Sequence, residues 1–243
     1  MVSGNQVLPK NLESLSVWIN EKFSDNLYPL NISDQIIKSL SSPEWLRMII
    51  NSIVTDSRQL GSLENRSFYH CLGVNKIILS SEGYDKPELR LHIWPNPTTK
   101  DSNFYEDIHN HRWDFSSAIL SGEFDVRIYS ESVQGIQYYK YNFVSVGNGV
   151  PNKVEYDGLG YLKEKSHERV IKGYRYHLIA DQLHTIIPTD SFCSTLFLRL
   201  PYSRDRTEVY IKNKRDMFNE DNKPKKLEKQ KIKSLLEKLS DEV

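Results

Sequence analysis

From Ser67 to Tyr202 the chain carries no sustained helical period. Short runs rich in β-branched and aromatic residues follow one another there, divided by turn residues. The candidate strands are FYHCLGV, KIILS, ELRLHIW, WDFSSAIL, FDVRIYS, QYYKYNFVSV, KVEYDGL, RVIKGYRYHLIA, HTIIPT and SFCSTLFLRL, with WPNP, LSGE, GNGVPN and IPTD as punctuation. So many strands with no helical pattern between them predict an all-β sandwich or barrel. Fourteen tyrosines and four tryptophans in 243 residues suit strands, or a pocket lined with rings.

The flanks differ in texture. In NLESLSVWINEKF, Leu12, Leu15, Ile19 and Phe23 share one helix face. Ser33 in NISDQIIKSL and Ser42 in SSPEWLRMIINSIV read as N-caps, with Pro43 in a first turn. After Arg206 the chain becomes polar, with Pro224 as a breaker, and ends in a charged helix whose thin apolar stripe is Leu227, Ile232, Leu235, Leu236 and Leu239. That ending reads as a solvated tail, with a partner-binding helix as the alternative. The organisation expected is 1–66 helical extension, 67–206 β-barrel and 207–243 charged tail.

A formal net charge of zero argues against a nucleic-acid partner, and no apolar run is long enough for a membrane span. The N-terminal stretch lacks signal-peptide character, so a cytoplasmic protein is expected. Its thiols, Cys71 and Cys193, then read as reduced and structural. A homo-oligomer is left open.

Of seven histidines, two sit one residue apart in HNHRWDFSSAILSG. Residues two apart on a strand point to one face, so His109 and His111 would present their imidazoles side by side. His184 follows an Asp-Gln turn at the start of another strand, which a barrel can lay beside the pair. Three neutral imidazoles on one side of an ion would leave positions open, as catalytic metal sites do.

The HNH pair with a glycine at Gly122, and later Gly173 spaced ahead of His184, resemble the two motifs of the cupin superfamily. Within it, DIHNHRWDFSSAILSG and LIADQLHTIIPTDSFCSTLFLRLPYS look most like the cysteine dioxygenase type of thiol dioxygenase. The resemblance spans Phe68 to Tyr202. It implies a double-stranded β-helix (jelly roll) and Fe(II), with Zn, Ni, Cu and Co as alternatives that three imidazoles suit equally. The departures are specific. Phe115 and Ser116 stand where many cupins place a glutamate ligand, so a three-histidine site is favoured. The crosslinking cysteine is absent, and Phe197, Arg199 and Pro201 replace the Ser-His-Tyr set. His70 stands where an arginine grips the substrate carboxylate. Free cysteine is therefore not the expected substrate.

Other candidates come from the strands themselves. Arg90, His92 and Trp94 alternate on one face, which lines either the barrel or an outer surface; inside, Arg90 could hold a carboxylate and His92 could support a ligand. Arg199 in TLFLRL needs a partner, either substrate or a carboxylate such as Asp181. Tyr176, Trp113 and Tyr202 suit the pocket mouth. His177 reads as core or edge packing, Asp107 as orienting a ligand ring, and Glu123 as a fourth ligand only under a different register. The function expected is a mononuclear non-haem Fe(II) oxygenase acting on a small molecule with O2. The rivals are a redox-neutral metal-dependent cupin (an isomerase, lyase or hydrolase) and a non-catalytic ligand-binding one.

Overall fold

The computed structural model describes residues 7–24, 29–70, 73–96, 107–144, 153–214 and 224–243. Four helices come first: α1 (Leu12–Ser24), α2 (Pro29–Leu40), α3 (Pro43–Thr55) and α4 (Ser57–Glu64). Ser42 caps α3 as expected, its hydroxyl accepting from the Trp45 N–H at 3.3 Å. Ser33 caps nothing. It lies inside α2, where its hydroxyl donates to the Leu30 carbonyl and meets the Ser116 hydroxyl at 2.6 Å, a buried link between helix and sheet.

The strands are β1 (Phe68–His70), β2 (Val74–Ser80), β3 (Glu88–Trp94), β4 (Ile108–His109), β5 (Trp113–Ser121), β6 (Glu123–Val144), β7 (Lys153–Ile171), β8 (Arg175–Leu178), β9 (Leu183–Pro188), β10 (Cys193–Tyr202), β11 (Arg206–Ile211) and β12 (Lys225–Lys226). A last helix, α5 (Lys229–Glu242), closes the chain. One sheet runs β12-β1-β2-β3-β10-β5-β8 and the other β11-β4-β9-β6-β7, all pairs antiparallel. From β3 to β11 the chain changes sheet at every connection except the β6–β7 hairpin. That alternation is a double-stranded jelly roll.

One pair of candidate strands fuses and another candidate divides. FDVRIYS and QYYKYNFV are both β6, whereas KVEYDGL continues to Ile171 as β7 and the rest of RVIKGYRYHLIA turns at Gly173 (φ +90°) into β8. The turn-like SESVQG between the first two forms a bulge instead, with the register shifting between Glu131 and Ile136. Gly135 permits it, because a Cβ there would lie 2.4 Å from the Leu162 carbonyl oxygen. Beyond the bulge β6 pairs with β11, a strand that the polar texture after Arg206 concealed. Cys71 and GNGVPN fall outside the described residues.

The central strands of the first sheet, β3, β10 and β5, are buried on both faces. Leu89, Leu91, Ile93, Leu196 and Leu198 face the helices in one core with Ile36, Ile37 and Ile49. Alternation then sends Arg90, His92 and Trp94 to the barrel interior, which decides the question left open above. The ending of the chain is not a loose tail. Ile232, Leu235, Leu236 and Leu239 are buried in that same core, and the Lys229 N–H donates to Glu64 at 3.0 Å. The apolar stripe is covered from within, so it presents no face to a partner. Among the described residues no helix is long and apolar enough to cross a membrane.

Gly122 turns β5 into β6 with φ +74°, and a Cβ would lie 2.5 Å from the Phe192 carbonyl oxygen. Gly122→Ala is expected to cost about 1–3 kcal/mol for the left-handed backbone alone, with the clash in addition. Urea denaturation would measure it, and a loss under about 0.5 kcal/mol would contradict this account of the turn.

Candidate metal centre

His109 ends β4 and His184 lies in β9, directly opposite it in the antiparallel register. His111 lies just beyond β4, not on it as the strand argument expected, but alternation persists. Asn110 points away and its amide exchanges hydrogen bonds with Glu208, accepting from the Glu208 N–H at 2.8 Å and donating to the carboxylate at 2.6 Å. The His111 N–H reaches the Ala180 carbonyl at 3.0 Å. The three imidazoles converge, with ring centroids 5.0, 4.8 and 5.1 Å apart. One ligand atom from each lies within 4.8 Å of the others.

Two of the tautomers follow from local geometry. His109 Nδ1 is 3.0 Å from the Asp107 carbonyl and His184 Nδ1 is 2.9 Å from the Gln182 carbonyl. A carbonyl can only accept, so each Nδ1 carries the proton and each Nε2 keeps its lone pair for an ion. Asp107 thus orients His109 through its main chain and not its carboxylate. Burial holds all three rings neutral: it lowers His109, pushes His111 well below 6.5, and brings His184 down to about 3, where proximity to His109 adds to the effect. Neutral, converging imidazoles, two of them held by carbonyls, fit a transition-metal ion.

Aromatic rings enclose this cluster. Phe115 stands 5.1 Å from the His111 ring and 5.9 Å from His184, so an apolar ring occupies the place expected of a carboxylate ligand. Trp113 stacks on His111 at 5.3 Å and on Tyr202 at 4.8 Å. Glu123 remains at the sheet end, its carbonyl accepting from the Thr189 N–H, and it does not join the histidines.

The other candidate residues separate by geometry. Arg90 pairs with Glu88, and its guanidinium lies over Trp113 at 5.7 Å and Phe197 at 6.0 Å. His92 stacks on Phe197 at 4.8 Å, and its buried Nε2 has no hydrogen-bond partner. Tyr176 reaches Phe115 at 6.0 Å, one ring removed from the imidazoles, and burial pushes its phenol up to about 12. His177 is exposed on the edge strand β8.

Arg199 takes a different partner from the one suggested. Asp181 pairs with Arg204 at 2.6 Å, whereas Arg199 lies 3.7 Å from Glu88. The Arg199 guanidinium donates to the carbonyls of Gly83 (2.8 Å), Lys86 (3.1 Å) and Tyr84 (3.2 Å). At 1% exposure it clamps the β2–β3 loop against the barrel. Lys76, which nothing in KIILS singled out, is opposite His92 in the register, and its charge contributes to lowering the pKa of His70, His92, His109 and His111.

The buried His92 gives a direct test. Burial, then the charges of Lys76, Arg90 and His70, hold it well below 6.5. Below that value the unfolded chain binds a proton here and the folded protein does not, so stability is intact above about 6.5 and is lost as pH falls. His92→Phe is expected to flatten the stability–pH slope of the metal-free protein by about 1.4 kcal/mol per pH unit between about pH 6 and pH 5. Denaturation at several pH values measures the slope; parallel curves for the two proteins would show that His92 titrates normally in the fold.

No family model matches the chain, and no curated protein matches it. Solved structures do. A cupin superfamily protein from Desulfitobacterium hafniense matches at 11% identity and TM-score 0.29, over 53% of this chain and 77% of its own. The DMSP lyase DddQ from Ruegeria pomeroyi matches at 14% identity and TM-score 0.32, over 55% and 50%. HEPD from Streptomyces albus, solved with 2-hydroxyethylphosphonate and Fe(II), matches at 9% identity and TM-score 0.32, over 54% of this chain but 22% of HEPD. The chain thus spans half or less of these two enzymes. These neighbours are a cupin superfamily protein, a lyase and an Fe(II)-bound protein, and the cysteine dioxygenase type is not singled out among them. The fold assignment rests on the strand order.

Proposed function

We propose that the protein is a mononuclear non-haem Fe(II) oxygenase of a small molecule, with His109, His111 and His184 as the metal ligands. The observation that carries this reading is the convergence of the trio: two Nδ1–H groups are fixed on carbonyls, all three rings are held neutral, and a phenyl ring stands in place of a fourth ligand. Iron so held would supply open positions at which O2 and substrate meet. The choice of iron follows the sequence resemblance to thiol dioxygenases, since the donor set itself suits Zn, Ni, Cu or Co as well.

The chain's own residues then bind and orient. Lys76 and Arg90 bring positive charge to the interior, and the buried nitrogens His92 Nε2, Trp94 Nε1 and Trp113 Nε1 have no hydrogen-bond partner. The two indole N–H groups and the two cations suit a substrate bearing acceptor oxygens, such as the carboxylate of a modified amino acid or secondary metabolite. Arg90 would take that carboxylate, with Glu88 and the rings of Trp113 and Phe197 holding its plane. Phe115, Phe197 and Trp113 would keep bulk water from the ion. Arg199 would act at one remove, by fixing the β2–β3 loop.

The test uses protein purified without oxygen, loaded with Fe(II) and exposed to nitric oxide. A high-spin EPR signal in wild type that is lost in His184→Ala is expected, and oxygen uptake in a substrate screen would follow. The same signal in both proteins, or none in either, would remove iron from this site.

A further inference from the structure

A cavity of about 520 Å³ lies on the face of the second sheet turned away from the histidines. The outer faces of β4, β6 and β9 form its floor, and the stretch of β6 beyond the bulge, with β7 and the residues after β11, closes over it. Thr185 and His184 are adjacent on β9 and so point to opposite faces: one into this cavity, the other into the metal cluster. We infer that this cavity is a binding site for an amphipathic anion, a carboxylate or phosphate carried on an aromatic or aliphatic body.

Two residues of its lining carry side-chain atoms without hydrogen-bond partners. Thr185 is 1% exposed and its Oγ1 makes no hydrogen bond; Arg127 Nε is buried and makes none. The guanidinium of Arg127 has a carboxylate nearby, but Glu164 is 3.9 Å away, beyond hydrogen-bond range. Leaving such groups unsatisfied in a fold is costly, and the guanidinium of Arg127, 36% exposed in the lining, can take a ligand acceptor. Lys212 and Lys214 add two further cations to the lining, against the carboxylates of Asp107 and Glu164. The balance of charge is therefore positive, with the partly exposed Arg127 as the anchor. Tyr129, Tyr138 and Leu162 supply apolar wall for the body of the molecule. Volume and lining both match the usual form of a small-molecule site, apolar walls with a few convergent polar groups in about 300–1,000 Å³.

The probe is 1-anilinonaphthalene-8-sulfonate, an aromatic anion whose fluorescence rises on leaving water, titrated into the full chain. One probe per chain is expected, with Kd raised about 10-fold in Arg127→Gln, the loss of one charge-assisted contact. Ile187→Trp, which fills the cavity from its floor, should abolish binding while Co2+ still binds the histidines with wild-type spectra. That second readout separates failure of this site from failure of the fold or of the metal centre. No probe binding to wild type, or a Kd unchanged by Arg127→Gln, would overturn the proposal whatever the tryptophan variant shows.

Discussion

His111→Ala is expected to lower the affinity of the folded protein for Co2+ by more than about 100-fold, the upper bound of what losing a mere supporting contact costs a metal site. His111 is the central test because its ring touches both other imidazoles, at 5.0 and 5.1 Å, and is packed between Trp113 and Phe115. Its replacement removes one of three donors and opens a gap no neighbouring side chain can fill with nitrogen. His109→Ala and His184→Ala should behave alike, since each removes a preoriented Nε2. His92→Phe should retain wild-type affinity, because His92 belongs to the pocket wall and not to the trio. Competition titrations with a chromogenic chelator measure all four. A loss of under 10-fold in the His111 variant, or an equal loss in His92→Phe, would mean that the ion is held elsewhere.

The convergence of these histidines was legible because its determinants are local. HNH fixes a shared face within three residues, and the Asp-Gln turn sets the start of β9. The jelly roll then supplies the single long-range fact, that β4 and β9 pair. What was not legible depended on which distant segment arrives where. Arg199 visibly needed a partner, but three of the carbonyls that receive it belong to a loop far earlier in the chain. Lys76 is an ordinary strand lysine until pairing sets it across from His92. SESVQG has the composition of a turn, and only the pairing of two long strands makes it a bulge, beyond which Ile136 and Tyr138 line the outer cavity. The C-terminal stripe was visible as well, but its meaning depended on a groove formed by elements elsewhere.

That groove predicts the largest stability effect in the molecule. Leu236 is fully buried among the helices, within the same core as Leu46, Ile49 and Leu60. Leu236→Asp would place a carboxylate there with no cation to meet it, and the uncompensated charge would cost several kcal/mol on top of the lost packing. Total stabilities of domains are only about 5–15 kcal/mol, so the variant is expected to be unfolded or insoluble at 37 °C. Leu236→Ala supplies a graded version, with an expected loss of about 2–5 kcal/mol in urea denaturation. Lys231→Gln, an exposed position on the same helix, should change stability by less than about 0.5 kcal/mol. A solvated tail predicts the opposite pattern, with all three variants melting together. Because the helices of this core cover the back of the sheet that carries Arg90 and His92, loosening α5 should also weaken Co2+ binding. That loss should follow the fraction unfolded; a fully folded variant with impaired binding would show that α5 acts on the metal centre directly.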